Sequence, residues 1–141
     1  MKSSVINSLK KHEGFSGFSY KDTLGFPTIG FGTKEPLTEF EAEMLLNHRL
    51  DICIVELLRR EPFTDTLPHD KKMILLEMAY QMGVDGLLKF KKMFKALKES
   101  DYELASKEML DSKWAIQTPV RAKSLSKLMK VEPINGFDVI N

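Results

Sequence analysis

The chain has a single cysteine, Cys53, among its 141 residues. That excludes an intramolecular disulfide and the small scaffolds that depend on one, and it fits synthesis in a reducing compartment. No run of about eighteen apolar residues occurs, so no segment reads as a membrane-spanning helix. Met1 to His12 carries basic side chains but no apolar stretch of the secretory kind, and Sec export is not expected. An excess of one charge is lacking too: 21 Lys and Arg face 20 Asp and Glu, for a net charge of +1. A protein that grips nucleic acid by neutralising phosphates is more basic than this. The three histidines, His12, His48 and His69, lie too far apart for zinc-ligand spacing. Gly30-Phe31-Gly32 has neither the third glycine nor the following helix start of a dinucleotide loop. Repeats and low-complexity segments are absent.

What is present is the composition of an ordinary globular domain, 43% hydrophobic and 29% charged. A chain of this length buries a real core, so one domain over residues 1–141 is expected. Val5, Ile6 and Leu9 recur at helical spacing after a serine cap candidate, and Gly14 follows directly, which predicts a first helix from Ser4 to Glu13. Phe15 to Gly32 is rich in glycine, aromatic and β-branched residues, with Asp22 to Gly25 between two apolar runs. The pattern predicts a small hairpin or three-stranded sheet. Thr38 and Glu41 have capping-box spacing and open a long helix that runs to Arg60 and stops before Pro62. Around Ile52 to Leu58 this helix is apolar on most of its circumference, which predicts burial of its C-terminal half. Helical patterns follow at His69 to Met82, Phe90 to Lys98, Tyr102 to Leu110 and Pro119 to Met129, the first closed off by Gly83 and Gly86. Lys130 to Asn141 reads as a loosely packed tail. The expected class is α+β: a sheet lobe over about 14–36, a helical lobe over about 62–130 plus the first helix, and a long helix joining them. Such an arrangement leaves a cleft suited to an extended ligand.

Glu13 holds an electrostatically odd position, because a carboxylate in the last turn of a helix faces the negative end of the macrodipole. One reading is a solvated glutamate balanced by Lys10, Lys11 and His12; the other is a carboxyl kept protonated for general-acid work. Asp22 opens the predicted turn, as an Asx-type turn residue or as the second carboxylate of a glycosidase pair. Thr28 lies on the predicted return strand, where strand propensity accounts for it. Facing a cleft, its hydroxyl would hold a water together with Asp22, which a valine could not do.

The blocks Glu13-Gly14, Tyr20-Lys21-Asp22-Thr23-Leu24-Gly25 and Thr28-Ile29-Gly30-Phe31-Gly32 together resemble the phage-type, T4-like lysozymes, a glycoside hydrolase family. Two later blocks agree with it: Tyr80-Gln81-Met82-Gly83 with Gly86 and Phe90, and Ser112-Lys113-Trp114 with Gln117-Thr118-Pro119 and Arg121-Ala122-Lys123. The resemblance spans about Leu9 to Met129. It implies a lysozyme-like fold with the active-site cleft between the lobes, and it implies roles. Glu13 would be the general acid, and Asp22 and Thr28 would position the attacking water, giving inversion. Arg121 would lie beside the catalytic glutamate, and Tyr80, Gln81 and Met93 would fall along the saccharide groove. For Tyr80 and Met93 ordinary packing is the alternative, and for Gln81 a turn cap. Thr33 stands where the family often carries histidine, and the short segment Lys34 to Leu37 implies a small sheet lobe.

Cys53 falls on the apolar face of the long helix, as a buried inert thiol would, and Trp114 reads as a core anchor of the helical lobe. Lysines cluster at Leu87 to Lys98, and with Arg121 at Lys113 to Lys130. This is either a solvated face or attraction to an anionic surface. The resemblance implies an endolysin that cleaves the β-1,4 bond between N-acetylmuramic acid and N-acetylglucosamine, with no metal or organic cofactor. Bacterial peptidoglycan is its expected partner, without nucleic acid or stable membrane insertion, and the monomer is the expected state. It would accumulate in the host cytoplasm and act in the periplasm after release by a separate holin-type protein. The alternatives are a catalytically silent lysozyme-fold module that binds glycan or protein, and a membrane- or DNA-binding protein acting through its basic helices.

Overall fold

A computed structural model describes residues 1–132; the expected tail lies outside the described residues from 133 onward. Helix α1 spans Lys2–Glu13 and stops at Gly14, whose φ of 69° is open to glycine at little cost. It begins earlier than the expected serine cap. Ser3 and Ser4 lie inside its first turn, and Met1 at the N-cap supplies no side-chain acceptor.

Three strands follow, β1 Ser16–Lys21, β2 Pro27–Gly30 and β3 Thr33–Lys34, antiparallel in the order β1-β2-β3. The Asp22–Gly25 turn closes with the Gly25 N–H on the Asp22 carbonyl at 2.9 Å. Gly30-Phe31-Gly32 forms the three-residue loop between the paired residues Ile29 of β2 and Thr33 of β3. Lys34, expected in the linker, is therefore a strand residue. The pairings Tyr20 with Thr28 and Thr28 with Lys34 put these three side chains on one face of the sheet. The expected capping box forms: the Glu41 N–H donates to Thr38 Oγ1 at 3.1 Å and the Thr38 N–H to Glu41 Oε1 at 3.0 Å. It opens α2, Glu39–Arg60.

The chain divides into two compact units, Met1–Leu46 and Asn47–Asn141, with the division inside α2. The sheet and α1 belong to the first. In the second, the C-terminal half of α2 is less buried than its composition predicts. Leu57 is buried and Cys53 half-buried, while Ile52 and Val55 are exposed. Residues four apart share one helical stripe, and only that stripe meets the core.

A 3-10 turn at Pro62–Thr66 leads into α3, His69–Leu88. Of the two glycines expected to end this helix, only Gly83 breaks it, with φ 80° and ψ 158°; the helical path then resumes through Gly86. Helices α4 Lys91–Lys98, α5 Tyr102–Leu110, α6 Lys113–Gln117 and α7 Pro119–Lys130 complete the unit. The sequence pattern does not predict α6. Five residues are too few to show a period, but Ser112 caps it by accepting the Ala115 N–H at 3.1 Å.

Leu75, Met78, Leu87, Met93, Leu97, Met109 and Met129 are fully buried. Side chains of this size each contribute about 1.5–3 kcal/mol on burial. Trp114 is the anchor its sequence position predicts. It lies edge-on to Phe90, with centroids 6.1 Å apart, and its indole N–H donates to Gln81 Oε1 at 2.9 Å. Lys71 is buried among these apolar groups. Its ammonium donates to the carbonyls of Leu128 at 3.0 Å and Val131 at 2.5 Å, pairs with Asp70 at 2.9 Å, and stands over the Tyr102 ring. The lysine thus serves carbonyls at the C-terminal end of α7. The architecture is mostly helical with one small antiparallel sheet, an α+β fold as expected.

Candidate active site

The first unit brings Glu13, Asp22 and Thr28 onto neighbouring elements: the end of α1, the β1–β2 turn and β2. The turn is built around the Asp22 side chain. Its Oδ1 accepts the Leu24 N–H at 2.9 Å and the Phe26 N–H at 2.8 Å. The Asx-turn reading and the functional one therefore describe the same residue, with Oδ1 shaping the loop and Oδ2 left for other work.

Thr28 is fully buried, and its hydroxyl donates to the Phe26 carbonyl at 2.8 Å. That carbonyl also takes the Asp22 N–H at 2.9 Å, so one peptide group ties the two residues together. With its hydrogen committed there, Thr28 Oγ1 meets any further partner as an acceptor. Asp22 Oδ2 is an acceptor as well. One donor already serves both: the Lys34 ammonium is bonded to Asp22 Oδ2 and lies 3.5 Å from Thr28 Oγ1. The Lys34 hydrogen bond, then those from Phe26 and Leu24, hold the Asp22 carboxyl below the usual aspartate range against a smaller opposing effect of burial. Lys34 is pushed up in return, chiefly by the Asp22 bond and further by the charges of Asp22, Glu13 and Tyr20.

Glu13 reaches the site over Gly32. A Cβ on that glycine would stand 2.7 Å from Glu13 Oε2 and 2.8 Å from its Cδ. Phe31 keeps the hairpin against the helix end, its ring 5.5 Å from that of Phe15 and 5.4 Å from the Lys10 ammonium.

The other sequence-predicted residues belong to the second unit. Tyr80, on α3, is 45% exposed. Gln81 uses its carbonyl oxygen on Trp114, a structural contact its turn-cap reading does not include. Arg121 is exposed on α7. Met93 is packed into the core cluster, the ordinary-packing alternative, and forms part of a cavity wall from there. That cavity, of about 500 Å³, is lined by Met93 together with Lys89, Lys92, Lys113 and Trp114. The Cys53 thiol is half-buried, and burial, with the Glu56 charge, pushes it up and away from thiolate. Among the described residues no group of three or more His, Cys, Asp or Glu could hold a metal ion, and no helix is long and apolar enough to cross a membrane. Lys34 is the site residue that sequence reasoning missed. A three-residue Gly30-Phe31-Gly32 loop closing on Ile29 and Thr33 pairs Lys34 with Thr28, whereas a two-residue loop would have paired it with Ile29.

The phage lysozyme family model matches residues 10–130. The chain belongs to the phage lysozyme family. One relative of this family member, "Probable T4-type lysozyme 1" of Dictyostelium discoideum, is 29% identical, with 97% of this chain and 99% of that protein aligned. The "Pre-baseplate central spike protein Gp5" of Enterobacteria phage T4 is 28% identical over 96% of this chain and 29% of its own length. The "Peptidoglycan hydrolase gp36" of Pseudomonas phage phiKMV is 28% identical over 92% of this chain and 16% of its own. The resemblance read from the sequence blocks holds, and the protein is a lysozyme-type glycoside hydrolase.

A first prediction concerns this lysozyme's Gly32. Gly32→Ala places a methyl group on the Glu13 carboxyl and forces a φ of 76° on a residue with a Cβ. With Glu13 as the general acid the resemblance implies, activity is expected to fall about 100-fold, as displacement of a reacting group by an ångström does. Stability is expected to fall by about 1–2 kcal/mol, the cost of the left-handed backbone. Initial rates and thermal melts on the same sample check both.

Proposed function

We propose that this lysozyme hydrolyses the β-1,4 bond between N-acetylmuramic acid and N-acetylglucosamine in peptidoglycan, by inversion. The observation that carries this reading is the pair of acceptors formed by Asp22 Oδ2 and Thr28 Oγ1, which a single donor already bridges. A water beside the Lys34 ammonium, on the remaining lone pairs of Asp22 Oδ2 and Thr28 Oγ1, gives one hydrogen to each oxygen and keeps a lone pair for the anomeric carbon. Glu13, as general acid, protonates the glycosidic oxygen as its bond to that carbon breaks. The water oxygen forms the new bond from the opposite face, and its proton passes to Asp22.

The substrate is supported by the family and by a relative named for peptidoglycan hydrolysis. In this reading exposed Tyr80 offers a stacking face to a sugar, the Gln81 amide N–H groups and the Arg121 guanidinium offer donors, and the lysines of α4 favour an anionic wall. Lysis of the host, with accumulation in its cytoplasm and release by a holin-type protein, is the setting this activity would serve.

The test is release of new reducing ends from purified peptidoglycan, with proton NMR of the first-formed anomer. Early α-anomer supports inversion. Early β-anomer overturns the water-positioning roles, and the absence of new reducing ends overturns the glycosidase assignment for this substrate.

A further inference from the structure

Lys34 lies opposite Thr28 across the β2–β3 pairing, and its ammonium reaches Asp22 Oδ2 and Thr28 Oγ1 together. We infer that Lys34 is a positioning residue of the active site, which fixes the Asp22 carboxylate beside Thr28 and favours its ionised form. The inference rests on the acid and water-positioning assignments proposed above.

Two carboxyl groups serving one bond must differ in protonation, and unlike surroundings make them differ. The groups that favour charge converge on Asp22. Two backbone N–H groups bond its Oδ1, and the Lys34 ammonium bonds its Oδ2. The titratable groups that act on the ammonium are Asp22 from the turn, Glu13 from α1 and Tyr20 from β1. Among them only Asp22 is bonded to it. The lowered Asp22 and raised Lys34 follow from that contact.

Geometry separates this role from a structural one. The Lys34 side chain is 57% exposed while that of Asp22 is 16% exposed, so removing the lysine head leaves no core cavity. The turn keeps its own closure through Asp22 Oδ1 and the Gly25 N–H.

The experiment follows the Asp22 carboxyl carbon by NMR across pH in the wild type, Lys34→Met and Lys34→Arg, with kcat and KM measured over the same range. In Lys34→Met the Asp22 midpoint and the acid limb of kcat are expected to move together to higher pH. At neutral pH kcat is expected to fall about fivefold at unchanged KM, near the upper worth of an exposed ion pair. Lys34→Arg is expected to restore both. An unmoved Asp22 midpoint, an acid limb that does not follow it, or a Lys34→Met enzyme as fast as wild type overturns the inference. The NMR readout needs no turnover. If Glu13→Gln stays active while the Asp22 midpoint still moves in Lys34→Met, the fault lies in the acid assignment and not in the contact.

Discussion

Glu13→Gln is expected to lower kcat by about 10²–10⁴-fold, the range a positioned general acid supplies. The amide fills the same space but has no acidic proton for a departing glycosidic oxygen. Folding should not suffer, because Glu13 is exposed. Reducing-end release together with a circular-dichroism melt checks both halves of the expectation. A well-folded variant that retains most of the wild-type kcat would sink the acid assignment.

Lys71→Met is expected to be the most damaging substitution for stability among those considered. The methionine fills much of the volume but leaves the carbonyls of Leu128 and Val131 without their donor and Asp70 without its ion-pair partner. Two carbonyl acceptors orphaned in this way, added to the loss of the lysine's contacts in the core, cost about 3 kcal/mol. For a chain of this size that lowers the midpoint of thermal unfolding by about 10 °C. Denaturant unfolding followed by tryptophan fluorescence at Trp114 provides the check. Turnover per folded molecule at low temperature should hold, since Lys71 lies outside the unit that carries Glu13, Asp22 and Thr28.

Local signals in the sequence match the structure well. The Thr38 and Glu41 capping box marks the start of α2 because both hydrogen bonds lie within one turn of chain. Gly14 marks the end of α1 because the backbone there needs a positive φ. Asp22 to Gly25 reads as a turn because Asp22 supplies the acceptors that close it. What stays hidden depends on distant partners. Lys34 joins Asp22 across twelve residues, and its pairing with Thr28 exists only once the strand register is set. Lys71 looks like any surface lysine in the His69 to Met82 pattern, and its partners lie some sixty residues further on. Met93 reads equally as groove wall or core, and only packing shows it fully buried beneath a cavity wall that it helps to form. The apolar stretch Ile52 to Leu58 misleads in the other direction, because composition gives the hydrophobicity of a helix but not the width of the stripe that finds a neighbour.

The way Asp22 closes its own turn has a consequence for how the site can be dissected. An Asp22→Asn side chain carries one acceptor and one donor end where aspartate carries two acceptors. With its oxygen toward Leu24 and Phe26, the amide nitrogen faces the Lys34 ammonium, donor against donor. Rotated by half a turn, it sets that same nitrogen against two backbone N–H groups. Neither orientation satisfies the parity of the pocket, so the amide disturbs the loop and the lysine at once. A mutant phenotype at this residue would confound shape with chemistry, and a charge-free probe of the site is better introduced at Lys34 or Glu13.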